Sequence, residues 1–271
     1  MEFADLHLHT VFSDSTYAPQ ELAFLSKEAG LSCISIVDHD TVDSIEPALG
    51  VSKEIGIEVL PGIELTAQYA DAEVHILGYL IDYHDQYLKK RLESLKADRR
   101  IRIYKMIEKL KDMGINLDAE SVFSLAKHAA VGRMHLAMAM KKYGFVDSIG
   151  EAFKKYIGEK SPAYILGFNL SPKEAIDLII QAKGIPVLAH PYSINPQELI
   201  FKFIDLGLKG LEVYYPEHTH SMIENYLGIA QKYNLLVTGG SDCHGLNKPE
   251  IKLGAIKIPY DLVQRLKEFK D

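Results

Sequence analysis

A chain of 271 residues, 47% hydrophobic and 25% charged, is long enough to bury a large core and too apolar in composition to be disordered. A net charge of −7 offers no overall attraction to nucleic acid, so any basic surface must be local, and no apolar run approaches the roughly 20 residues of a membrane-spanning helix. The start, Met1-Glu2-Phe3-Ala4-Asp5, lacks the basic and apolar stretches of a secretory signal, and Cys33 and Cys243 make no disulfide framework, so the expected location is the cytoplasm.

Residues 3–9 read as a strand, and 19–29 as a helix with Pro19 near its first turn and Gly30 just past its end. Residues 32–37 form a second predicted strand. Residues 44–55 look helical despite Pro47 and Gly50, and 57–66 and 73–80 read as two more strands. From about 84 to 114 the pattern is one long helix, with Leu88, Leu92, Leu95, Ile103, Met106, Ile107 and Leu110 near a 3.6-residue period. Further helical pieces at 118–127, 133–142 and 147–156 follow without a clear strand, as in an all-helical insertion.

The alternation resumes at Ser171-Pro172-Lys173-Glu174, with Ser as N-cap, Pro at the first helical position and Glu at the third. Residues 186–189, 210–214, 235–239 and 253–258 read as strands, and 196–206 and 221–233 as helices. Strands alternating with helices predict a parallel β/α architecture, whose active site lies at the C-terminal ends of the strands.

That rim is where the chemistry-bearing residues fall. The first strand ends in His7-Leu8-His9, with Asp14 in the next loop, and the second in Asp38-His39-Asp40. The third carries Glu64 and the fourth His75, while later ones end in His190 and in Asp242-Cys243-His244. His7/His9 and Asp242/His244 have i, i+2 spacing, which puts both side chains of each pair on one face of a strand and turns Cys243 away. Any one of these residues alone reads as an ordinary core or surface group. Together, nine imidazoles and carboxylates exceed what one ion needs and predict a multinuclear site with a bridging carboxylate. The residue types suit Mn, Fe or Zn, and such clusters clamp phosphate oxygens and lower the pKa of a bound water.

Asp5-Leu6-His7-Leu8-His9-Thr10, Ser13-Asp14 and Val37-Asp38-His39-Asp40-Thr41 closely resemble the first motifs of the PHP (polymerase and histidinol phosphatase) family. Pro61-Gly62-Ile63-Glu64, Val74-His75-Ile76-Leu77-Gly78, Leu188-Ala189-His190-Pro191 and Gly240-Ser241-Asp242-Cys243-His244 continue the resemblance through nearly the whole chain. It implies an α/β fold, a distorted (β/α)7 barrel, with three divalent metal ions. One ion would take His7, His9, Glu64 and Asp242; the second Glu64, His75 and His190; the third Asp14, His39 and His244. Asp14, His39, Glu64, His190 and Asp242 would then carry catalysis.

Gly132-Arg133-Met134-His135 and Ala152-Phe153-Lys154-Lys155-Tyr156 look like the insert of a branch containing bacterial nucleoside 3′,5′-bisphosphate phosphatases and a 5′–3′ exoribonuclease. That resemblance implies a small phosphorylated nucleotide or short single-stranded RNA as substrate; the lack of a long apolar run predicts no membrane, and no obligate protein partner is inferred. The expected organisation is a barrel of residues 1–83 and 165–271 with a helical cap, 84–164, over the metals. Arg133 and His135 are candidates for binding a non-reacting phosphate, against a plain helix start with a solvated Arg. His218 is a candidate substrate contact or proton donor, and Lys160 and Tyr164 are weaker ones. Asp40 either orients a ligand from behind or caps the next helix. Residues 89–111 hold ten Lys or Arg against three Asp or Glu, which reads as a solvated face or as steering for a polyanion. His84, His128 and His220 read as surface or packing residues. The rival activity is histidinol-phosphate phosphatase, disfavoured by Asp14 and by the Gly-Arg-x-His segment; a rival of another class is a non-catalytic metal-binding module.

Overall fold

Among the described residues, eight strands make one sheet: β1 (Phe3–Leu8), β2 (Cys33–Ile36), β3 (Glu58–Tyr69), β4 (Ala72–Tyr79), β5 (Ile185–Leu188), β6 (Gly210–Tyr214), β7 (Leu236–Gly239) and β8 (Ile258–Pro259). The computed structural model describes residues 2–270 apart from 71, 128, 168–169 and 194–197. The strand order is β7-β6-β5-β4-β3-β2-β1-β8. Beyond β7 the chain returns to β1, where Asp242 N donates to His7 O (2.8 Å) and His9 N to Cys243 O (3.3 Å), so the sheet nearly closes into a barrel.

The helices are α1 (Pro19–Glu28), α2 (Ile45–Ile55), α3 (Gln86–Asp112), α4 (Ala119–Ala126), α5 (Arg133–Lys142), α6 (Ile149–Ala152), α7 (Pro172–Gln181), α8 (Glu198–Asp205), α9 (His220–Tyr233) and α10 (Tyr260–Lys270). α7 starts on the expected capping box: Ser171 N donates to Glu174 Oε2 and Glu174 N to Ser171 Oγ. His128 and the first residues of the expected 196–206 helix lie outside the described residues.

Two strand expectations change. The sheet is not parallel throughout: β1/β2, β2/β3, β5/β6 and β6/β7 are parallel, but β3/β4, β4/β5 and β1/β8 are antiparallel. Only residues 70 and 71 separate β3 from β4, which makes a hairpin; a parallel crossover needs a dozen residues or more. The strand expected at 253–258 shrinks to Ile258–Pro259, because Gly254 takes φ +68° and Ala255 N donates back to Lys252 O in a turn.

The apolar stripe of α3 divides between two cores. Leu88, Leu92 and Leu95 belong to the main cluster, with Leu65 of β3 and Ile176 and Ile179 of α7, whereas Ile103, Met106 and Leu110 pack with Val122, Leu136 and Met140 of α4 and α5.

Candidate metal centre

The strand ends bring the nine predicted residues together. His7 Nε2 lies 3.3 Å from Glu64 Oε2 and 3.4 Å from Asp242 Oδ1, and His9 Nε2 lies 3.2 and 3.0 Å from the same two oxygens. Glu64 Oε2 is also 3.2 Å from His39 Nδ1, while Oε1 is 2.8 Å from His75 Nδ1 and 3.2 Å from His190 Nε2. Asp14 faces His244 Nε2 at 3.1 Å and His39 Nε2 at 4.0 Å. His75 reaches this rim from the first half of β4, because that strand runs antiparallel to its neighbours.

These residues fit metal ions. His9 Nε2, Asp14 Oδ1, His39 Nδ1 and His75 Nδ1 are buried without a hydrogen-bond partner although oppositely charged atoms are close by. Four ligands about 2.0–2.1 Å from one ion in a tetrahedron stand about 3.3 Å apart, close to the 3.0–3.4 Å spacings among His7, His9, Glu64 and Asp242. Groupings able to hold an ion are His7, His9 and Asp242; His39, Glu64 and His75; and His9, Asp14, His39 and His244.

The electrostatics call for positive charge at the centre. Burial works against the charged form of Glu64, but His39, His75 and His7 together hold its pKa well below the usual carboxylate range. Burial likewise opposes protonation of His9, yet Asp242 and Glu64 push it up to about 9.

A layer behind these groups fixes them. Glu212, fully buried, accepts from His7 Nδ1 (2.8 Å) and from His190 N (2.8 Å). Asp38 accepts from Thr10 N (2.7 Å) and Ser13 Oγ, and Asp5 from Ser241 N (2.9 Å) and Oγ (2.6 Å), so each anchors a ligand-bearing loop. Asp242 Oδ2 accepts from Tyr215 Oη (2.8 Å) and Lys248 Nζ (2.9 Å). Glu212 and Lys248 lie outside the motifs that mark the rim. For Glu212 the signal is its place as an acidic residue inside a short apolar strand, since a buried charge needs a partner.

The rim opens into a cavity of about 260 Å³ that is also lined by Arg99, Arg102, Arg133 and Phe153. Arg102 and Arg133 each donate through Nη2 to Glu73 at 3.1 Å, and both guanidiniums lie 5.3 Å from the Tyr164 ring centre. Arg99 donates to Asp40 Oδ2 (2.6 Å) and Thr66 Oγ1 (2.7 Å). The basic run of α3 is therefore not wholly a solvated face, because Arg99 and Arg102 occupy its buried stripe.

Other candidates sit elsewhere. His135 is buried and off the cavity wall; its Nδ1 accepts from Gly132 N (3.2 Å), folding the ring back over the first turn of α5. His218 is buried beneath Tyr192 and Tyr215, with Nδ1 donating to Val213 O (2.8 Å) and Nε2 unpartnered, and burial pulls its pKa down. Asp40 takes Arg99 and the Thr66 amide rather than a helix start. Lys160 is exposed and off the wall, the His84 ring lies tilted against Tyr83, and His220 pairs with Glu224 at the surface. Cys243 is buried, with Sγ toward Ile251 O rather than the cavity.

A near-closed barrel whose rim of imidazoles and carboxylates shares a cavity with arginines defines a metal-dependent hydrolase of phosphate esters. The PHP domain model matches residues 5–177, and the chain belongs to the PHP family. It is 31% identical to a 5′–3′ exoribonuclease of Haemophilus influenzae, covering 89% of each chain. It is 26% identical to a 3′,5′-nucleoside bisphosphate phosphatase of Chromobacterium violaceum, over 89% of this chain and 86% of that one. Among solved structures it resembles a chain from Bifidobacterium adolescentis assigned as a metal-dependent phosphoesterase, with TM-score 0.90, 33% identity and coverage of 97% and 94%. It also resembles a C. violaceum amidohydrolase with bound sulfate and no metal, with TM-score 0.86, 26% identity and coverage of 97% and 96%. No helix among the described residues is long and apolar enough to cross a membrane.

Proposed function

We propose that this chain removes the 3′-phosphate of nucleoside 3′,5′-bisphosphates and trims short 5′-phosphorylated RNA, using three divalent metal ions, Mn, Fe or Zn. The observation that carries this reading is one cavity lined both by metal-ligand groups and by Arg102 and Arg133. A substrate with two phosphates matches a metal-binding rim and an arginine pair that line the same cavity. The relatives point the same way, one being an exoribonuclease and another a nucleoside bisphosphate phosphatase. The sulfate in the C. violaceum structure belongs to a relative that holds an anion without metal.

In this reading His7, His9, Glu64 and Asp242 hold one ion, Glu64, His75 and His190 the second, and Asp14, His39 and His244 the third. When bound, the ions supply Lewis acidity to the scissile phosphate and lower the pKa of the attacking water. Glu212 fixes the His7 ring so that Nε2 faces the centre. Arg133 binds the phosphate that does not react, and His135 sets the helix start from which Arg133 projects. The helices from α3 to α6 act as the cap that selects substrate.

Histidinol phosphate carries an ammonium group and no second anion, so the arginine wall counts against it. The full ligand set and open cavity count against a non-catalytic module. Purified protein with Mn²⁺ should release phosphate from adenosine 3′,5′-bisphosphate and nucleotides from a short 5′-phosphorylated RNA, and chelation should abolish both. Turnover of histidinol phosphate alone would overturn the substrate claim while leaving the metal centre.

A further inference from the structure

Glu73 sits two residues before His75 on β4, and that spacing puts both side chains on one face of the strand. Its carboxylate serves three groups. Oε1 lies 3.2 Å from His75 Nε2 and 3.1 Å from Arg133 Nη2, and Oε2 lies 3.1 Å from Arg102 Nη2. The two arginines come from different helices, α3 and α5, while His75 turns its other nitrogen to Glu64. The carboxylate is largely buried, and its hydrogen bond to Nε2–H leaves the Nδ1 lone pair free to face the metal centre.

We propose that Glu73 is a positioning residue that ties metal binding to anion recognition: one carboxylate sets the ring of His75 and holds Arg102 and Arg133 as a pair facing the cavity. The inference rests on reading those arginines as the anion site. A carboxylate between two guanidiniums lowers the positive charge there. If charge alone mattered, removing it would tighten anion binding; if geometry matters, removing it loosens binding. The sign of the change separates the two roles.

The test uses the whole chain and two probes that are not turned over. Competition with a fluorescent chelator measures Mn²⁺ affinity, and calorimetry of the metal-free protein measures sulfate affinity. Glu73→Gln is expected to bind Mn²⁺ at least about tenfold more weakly, and sulfate about tenfold more weakly. Glu73→Asp keeps the charge but shortens the reach, so it should lose both affinities too, and it carries the test if the Gln variant does not fold. Unchanged Mn²⁺ affinity overturns the proposal, as does sulfate binding that is unchanged or tighter. Wild-type affinities in the Asp variant overturn it as well. Neither probe depends on which phosphoester is cleaved, so failure to hydrolyse adenosine 3′,5′-bisphosphate would strike the substrate reading and leave this result to stand on its own.

Discussion

Arg99 on α3 and Asp40 beyond β2 form a buried ion pair, Nε to Oδ2 at 2.6 Å, that fastens the longest of these helices to the barrel rim. Asp40 also holds the strand that carries Glu64, accepting from Thr66 N through Oδ1 at 2.9 Å and donating its own amide to Glu64 O at 3.0 Å. Removing Arg99 leaves the buried Asp40 carboxylate without this counter-charge. Arg99→Met should destabilise the protein by about 3–5 kcal/mol, measured by urea unfolding. Arg99→Met/Asp40→Leu should cost less than the sum of the two single changes, because neither charge is then stranded.

Glu212 touches no ion in the proposed centre, yet it bonds both the His7 ring and the His190 amide. Glu212→Gln should keep the fold, read by circular dichroism, and weaken Mn²⁺ binding by about 10–100-fold in chelator competition. Unaltered metal affinity would remove Glu212 from the site.

Gly240 marks where the barrel closes. A Cβ there would stand 2.3 Å from His7 N and 2.4 Å from His7 Cβ, so no side chain fits without moving the backbone of β1. Gly240→Ala should cost more than about 4 kcal/mol and lower both the thermal midpoint and metal loading.

Lys267 on α10 pairs with Glu58 on β3 at 2.5 Å and hydrogen-bonds Tyr260 Oη at 3.0 Å. Burial disfavours its charge, but Glu58 and Tyr260 outweigh this and its pKa is pushed up to about 12. A raised lysine pKa stabilises the fold fully below the unfolded value of about 10.4. That stability disappears as pH rises through the folded value. The difference in thermal midpoint between wild type and Lys267→Met should therefore stay constant from about pH 7 to 9 and shrink toward pH 12.

The local sequence revealed much of the metal rim because strand geometry is periodic. His7/His9 and Asp242/His244 share a face by spacing alone, and segments ending in His or Asp recur in chain order. The same spacing joins Glu73 to His75, but only the arrival of Arg102 and Arg133 from two helices gives Glu73 its partners. Arg99 and Arg102 were hidden among ten basic residues of residues 89–111; helical period places them on the buried stripe, but only their partners explain the burial.

Residue order and type by themselves determined the first seven strands, the α7 capping box and the candidate metal-binding residues, because these depend on neighbours a few positions apart. Tertiary structure decided the rest. It turned β4 antiparallel, so that His75 enters the rim from the start of its strand, and it folded His135 over its own helix turn while bringing Arg102 to the cavity beside Arg133. Those outcomes depend on contacts between residues tens or hundreds of positions apart, such as His7 with Glu212 and Asp5 with Ser241, whose pairing is set only when the sheet curls round on itself.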